Sequence, residues 1–199
     1  HIGNLFNNIP SKFKTHEFRN LSFNSKKCKK GDIFFSIKGT KKNGNNFISN
    51  AIKNGARTII SDRNYQGIKG RVLYLKSKNI RKLLSYACSK FYNKKPNNII
   101  GVTGTNGKSS IANFYFQILK KNKIKAASIG TLGIRTSSNN NKIGNTTIDP
   151  VNLHKILENL KIKKINNVIL EASSHGLKQS RLDFLKFNTA IFTNLTRDH

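Results

Sequence analysis

The sequence predicts an α/β protein: a small N-terminal α/β domain, then a parallel-sheet domain whose chain stops before the sheet is complete. Three observations predict it. Short apolar runs alternate with helical patterns of about 10–15 residues, the arrangement of βαβ units. A polar joint, Asn93-Lys94-Lys95-Pro96-Asn97-Asn98, divides the chain and carries one of its three prolines. The 199 residues are enough for one large domain or two small ones with a buried core.

Before the joint, Asp32-Ile33-Phe34-Phe35-Ser36-Ile37 reads as a strand. Residues 47–56 read as a short helix ending at a glycine cap, Gly55. Residues 58–61 and 72–75 are predicted strands, and 80–92 a helix. After the joint come a buried-type strand over 98–103, a glycine turn, and a helix over 108–121. Strands over 125–129, 167–171 and 188–193 follow, with helices from Pro150 to about residue 163 and over 176–185. About four strands therefore fit in the second domain. The expected boundaries are 1–95 and 96–199.

Composition excludes several classes. There are 37 Lys+Arg against 8 Asp+Glu, a formal charge of +29. The basic residues are 29 Lys and only 8 Arg, spread along the chain with 28 Asn. Base and phosphate readers cluster Arg, whose fork bonds bidentately. A drift toward Lys, Asn and Ile accounts for the charge, and nucleic acid is not the expected partner. No apolar run reaches the roughly 20 residues of a membrane helix, and no signal-peptide core opens the chain. A cytoplasmic location is expected, with Cys28 and Cys88 as reduced thiols. The chain opens at His1 and contains no Met, so it reads as a fragment or a processed piece.

The chemistry concentrates in Gly101-Val-Thr-Gly104-Thr105-Asn106-Gly107-Lys108-Ser109-Ser110, between an apolar strand and a helix. Glycines let backbone N–H groups turn toward phosphate oxygens, and the helix N-terminus adds its dipole. Lys108 is placed to reach the β/γ-phosphates, and the Ser109 hydroxyl to ligate Mg²⁺. The generic spacing would need a glycine at 102, where Val102 stands. ATP is the expected ligand, and the second domain reads as a truncated P-loop ATPase domain.

Two more motifs lie at predicted strand ends, where parallel α/β sheets bind ligands. Glu171-Ala-Ser173-Ser174-His175-Gly176-Leu177 places a carboxylate there, suited to Mg²⁺ beside Ser109. Phe192-Thr193-Asn194-Leu195-Thr196-Arg197-Asp198-His199 brings a second acid/imidazole group to the same edge. His199 reads equally as a ligand or a cap, and His175 as a structural turn residue.

The loop Thr103-Gly104-Thr105-Asn106-Gly107-Lys108-Ser109-Ser110 resembles that of the Mur ligases, ATP-dependent amino-acid ligases of peptidoglycan synthesis. The two strand-end motifs, and the spacing from Ser25 to Gly31-Asp32-Ile33-Phe34, resemble the branch of that family that adds the third stem-peptide residue. The resemblance implies a ligase joining a diamino acid to UDP-MurNAc-L-Ala-D-Glu through an acyl phosphate, with ATP and Mg²⁺; a monomer is the expected state, though the sequence does not fix it. The resemblance leaves open meso-diaminopimelate or L-lysine. By resemblance, Lys108, Glu171 and His199 would be catalytic, with Ser109, Glu171 and His199 at the metal. Gly104, Thr105, Asn106, Gly107, Lys108, Ser109 and Ser110 would bind the nucleotide. Phe23, Ser25, Thr40, Lys41 and Lys42 would hold the UDP-MurNAc end, and Asn145, Thr146, Thr147, Ser173, Gln179 and Arg181 would contact the same substrate. Asn24 and Lys26 depart from the family's usual Asp and Arg. The family's carbamylated lysine and amino-acid-binding domain lie downstream of His199, so poor catalysis by this chain alone is expected. The alternatives are another amino-acid ligase of the superfamily and a basic P-loop nucleic-acid-binding protein.

Overall fold

The computed structural model describes residues 1–39, 42–137, 140–141 and 147–196. Thr40, Lys41, Asn145, Thr146 and His199 fall outside the described residues. The chain divides into two compact units, His1–Phe91 and Tyr92–His199, so the polar joint belongs to the second.

In the first unit the strands are β1 (Leu21–Ser22), β2 (Ile33–Phe35), β3 (Thr58–Ser61), β4 (Gly67–Lys69) and β5 (Val72–Lys76). Their order is β1-β2-β3-β5-β4, parallel except for β4, which pairs antiparallel with β5. The helices are α1 (Ile48–Lys53) and α2 (Ile80–Phe91). Gly55 stops α1 in the left-handed region (φ +107°), and the Ala56 N–H closes back on the Ala51 carbonyl at 2.9 Å. Phe34, Ile59 and Val72 meet Ile48 and Ala51 of α1 in the core. Strands β1 and β4 were not legible in the sequence, being two and three residues long.

In the second unit, β6 (Asn98–Thr103) leads through the glycine loop into α3 (Lys108–Lys121). Then follow β7 (Ala126–Gly130), β8 (Gly133–Thr136), β9 (Asn140–Asn141), α4 (Pro150–Ile162), β10 (Asn167–Glu171), α5 (Ser174–Lys178) and β11 (Thr189–Phe192). The order is β11-β6-β10-β7-β8-β9, the first four parallel and the last two antiparallel. The sheet thus has six strands among the described residues rather than about four. The addition is a short polar β8–β9 pair, without the apolar run that marks a buried strand. The helix expected over 176–185 is also corrected, to Ser174–Lys178. Ser180 and Phe184 take left-handed φ (+56° and +62°), which no α-helix can contain.

Strand alternation sorts β10 between two cores. Val168 and Leu170 face the α4 side, packing with Leu153 and Leu157. Ile169 faces the α3 side with Val102 and Ala112. Two residues beyond Ile169, Glu171 keeps the α3 face. Helix α4 starts where Asp149 accepts the Asn152 N–H (3.0 Å), with Pro150 in the first turn.

Candidate functional site

Because β11, β6, β10 and β7 are parallel, their carboxyl ends share one edge. Along it lie Thr193 after β11, the loop 104–107 after β6, Glu171 closing β10, and Thr131 after β7. Register fixes the depth: Glu171 stands opposite Val102, and Phe192 opposite Thr103. Val102 occupies its position because it is a core residue of β6, fully buried against α3. A glycine there would cost packing without entering the loop.

The N–H groups of Gly107, Lys108, Ser109 and Ser110 have no acceptor among the described residues. They form the open N-terminus of a 14-residue helix, with partial positive charge aimed outward. Not all loop amides turn to this face. The Thr105 N–H donates to the Asn194 carbonyl and the Asn106 N–H to Asn194 Oδ1, both at 3.0 Å. Lys108 Nζ caps the loop's own carbonyls, donating to Gly104 (2.6 Å) and Thr105 (2.7 Å). Gly104 takes φ +131°, and a Cβ there would collide with the Thr193 hydroxyl.

Glu171 is 3% exposed. Three donors hold its carboxylate: the Ser109 hydroxyl (2.8 Å), the Thr131 hydroxyl (3.0 Å) and the Thr131 N–H (3.2 Å). Gly130 leaves the space that the carboxylate fills. Ser110 is exposed and takes no part in this cluster. No group of three or more His, Cys, Asp or Glu side chains gathers among the described residues. The available donors, one carboxylate and neighbouring hydroxyls, are hard oxygen ligands. They fit Mg²⁺, which takes one or two carboxylates and completes its shell with phosphate and water oxygens.

Thr147, Ser173, Gln179 and Arg181 come together beside Glu171. Thr147 Oγ1 lies 3.0 Å from Ser173 Oγ and 3.2 Å from the Glu171 carbonyl. Arg181 donates to the Thr147 carbonyl (2.5 Å) and twice to Gln179 Oε1 (2.8 and 3.1 Å). Gln179 in turn meets His175 Nε2 at 2.6 Å, which gives His175 a bracing place.

The first unit places its predicted residues separately. Phe23 is 39% exposed after β1, whereas Ser25 is 6% exposed in a 3-10 turn (Ser25–Lys27). Asn24 caps that turn by accepting the Lys26 N–H at 3.0 Å, so its departure from an acid keeps an oxygen acceptor. Lys42 is exposed, and its carbonyl accepts the Gly39 N–H at 2.8 Å. A cavity of about 400 Å³ beside β5, lined by Phe6, Asn8, Gln66, Lys76, Leu83 and Tyr86, includes none of these residues. The sequence places Thr193 and Asn194 at this edge within the 192–199 motif but assigns neither a role there, and it does not single out Thr131. Their position just after strand ends was the available signal.

Residues 17–92 match the family described as "Mur ligase family, catalytic domain", and 102–199 match "Mur ligase middle domain". The UDP-N-acetylmuramoyl-L-alanyl-D-glutamate--2,6-diaminopimelate ligase of Rickettsia prowazekii is 41% identical over 196 residues, 96% of this chain and 40% of that protein. The ligase of the same name from Rhizobium meliloti is 37% identical over 185 residues, 93% of this chain and 38% of that protein. A solved structure with this ligase name superposes with a TM-score of 0.83 at 27% identity, covering 100% of this chain and 41% of that one. A MurF ligase from Thermotoga maritima in complex with ADP shares the fold at a TM-score of 0.60 and 23% identity, covering 88% of this chain and 37% of that one. The chain spans about two fifths of the length of these relatives. With both matched domains in sequence order and its length aligned nearly end to end with such ligases, the chain belongs to the Mur ligase family.

Proposed function

We propose that this chain acts in the ATP-dependent ligation of 2,6-diaminopimelate to UDP-MurNAc-L-Ala-D-Glu. One observation carries the reading: outward amides, Lys108 and the Ser109–Glu171 pair converge at one sheet edge. The choice of diamino acid, open in the sequence, follows the names of the relatives.

The residues suit phosphoryl transfer, in which positioning and charge stabilisation supply most of the catalysis. The amides of 107–110 receive phosphate oxygens. Lys108 exchanges the Gly104 and Thr105 carbonyls for an anionic partner, a stronger charge-assisted bond. Ser109 and Glu171 would hold Mg²⁺, which supplies charge neutralisation when bound. The D-Glu γ-carboxylate oxygen attacks the γ-phosphorus, the bond to ADP breaks, and an acyl phosphate forms. The diaminopimelate amine then attacks the carbonyl carbon, loses its proton to solvent, and phosphate departs with the C–O electron pair. Thr147, Ser173, Gln179 and Arg181 brace the substrate side, with Asn145 and Thr146 from the same segment. By the family resemblance, Phe23, Ser25, Thr40, Lys41 and Lys42 would take the UDP end and His199 would serve at the metal. Cytoplasm is the proposed compartment, since it offers both nucleotide substrates. No described helix is long and apolar enough to cross a membrane.

The test is calorimetric titration with UDP-MurNAc-L-Ala-D-Glu and with Mg²⁺-ADP, beside single-stranded DNA, at two salt concentrations. Saturable binding of both nucleotides, with weak and salt-labile DNA binding, is expected. Tight DNA binding without nucleotide binding would overturn the proposal.

A further inference from the structure

Three successive peptides of the phosphate loop do not point the same way. In the first, the Gly104 carbonyl faces Lys108 while the Thr105 N–H faces the Asn194 carbonyl. The second repeats this, with the Thr105 carbonyl on Lys108 and the Asn106 N–H on Asn194 Oδ1. The third is reversed. The Asn106 carbonyl turns to the β11 side and accepts the Thr193 hydroxyl at 2.6 Å and Asn194 Nδ2 at 3.4 Å.

All described peptides are trans, so carbonyl and N–H point opposite ways across each plane. Holding the Asn106 carbonyl toward Thr193 therefore aims the Gly107 N–H at the open face of the loop. Gly107 accommodates the reversal with φ +85°, which a side chain would oppose. This N–H is the first of the four without a protein acceptor among the described residues. Thr105 and Thr196 add a second tie, with the Thr196 N–H donating to Thr105 Oγ1 at 3.0 Å.

We infer that Thr193 is a positioning residue for nucleotide binding: its hydroxyl fixes the reversed Asn106–Gly107 peptide that presents the Gly107 N–H to a phosphate oxygen. Thr193 itself does not touch phosphate. The inference rests on the nucleotide-binding reading above and names the device that orients its loop.

The test compares the parent chain with Thr193→Val, which removes the hydroxyl but keeps the shape, and Thr193→Ser, which keeps the hydroxyl. ADP affinity is read by calorimetry, and the Gly107 amide by ¹H–¹⁵N NMR with and without ADP. Thr193→Val should bind ADP about tenfold more weakly and lose most of the ADP-induced Gly107 shift, while Thr193→Ser restores both. Equal ADP affinity in the parent and Thr193→Val overturns the positioning role and leaves the nucleotide reading standing. Thr193→Ser as weak as Thr193→Val also overturns it, because the hydroxyl is then not the determinant. No ADP binding by the parent overturns the nucleotide reading and this inference with it.

Discussion

The hydroxyl of Ser109 donates to Glu171 Oε2 at 2.8 Å, across a sequence separation of 62 residues. One residue opens α3 and the other closes β10, so the bond joins the helix N-terminus to the neighbouring strand end. A carboxylate beside a loop proposed to take a diphosphate would repel it unless a cation lay between them. Glu171→Gln should therefore abolish most of the gain in ADP affinity that Mg²⁺ provides. ADP affinity in EDTA should be unchanged or higher, since the local negative charge is gone. Titrations with Mg²⁺ and with EDTA check both arms, and an intact Mg²⁺ effect in the variant would remove Glu171 from the metal site.

Gly104→Ala is expected to disable the loop while sparing the fold. Its φ of +131° is strained for any side chain, and the new Cβ would lie 2.8 Å from the Asn194 carbonyl oxygen as well as against Thr193. Both obstacles lie at the sheet edge, outside the β6–α3 core. ADP binding should fall below detection with a thermal midpoint only a few degrees lower, by about 1–2 kcal/mol of strain. Retained ADP affinity would show that the loop does not need its present backbone.

How much of this was legible in the sequence follows from where each signal resides. The α3 helix and strands β6 and β10 have the expected bounds, because long apolar runs and a glycine turn mark them locally. Glu171 was legible for the same reason, since strand parity and a strand end place it. The β8–β9 pair carries no such pattern, and α5 ends early on left-handed non-glycine residues that no propensity signals. The reversed peptide at Asn106 depends on donors from Thr193 and Asn194, 87 and 88 residues away, so no local reading could supply it. The two compact units meet at Phe91 and Tyr92, just ahead of the polar joint, where Lys95 donates to the Tyr92 carbonyl and the Lys94 N–H to Glu158.

Arg181→Ala should separate the two substrate sides. Its guanidinium ties the Thr147 carbonyl to Gln179, and Thr147 in turn holds the N–H and hydroxyl of Ser173. Losing these charge-assisted bonds releases the substrate-side segment without touching the loop 104–107. Affinity for UDP-MurNAc-L-Ala-D-Glu should fall about tenfold, with ADP affinity within about twofold of the parent. Calorimetry with each ligand decides, and a defect confined to ADP would contradict the assignment.

His154 gives the fold a dependence on acid. It lies on α4 with 0% exposure, and neither ring nitrogen has a hydrogen-bond partner among the described residues. Burial, reinforced by the positive charge of Lys95, pushes its pKa down from 6.5 to about 3. The folded state thus binds the proton less readily than the unfolded one. The stability from the neutral ring is complete above pH 6.5 and is lost progressively as pH falls toward 3. Between pH 7 and pH 5 the loss is about 2 kcal/mol from this group. Urea unfolding at those two pH values measures it. His154→Leu removes the titration and two unsatisfied nitrogens, so it should flatten the acid limb and raise stability at pH 7. Carboxylates number only 8, Glu and Asp together, so little else in the chain masks the effect. An acid limb equally steep in His154→Leu would assign the loss to the other four histidines or to the carboxylates.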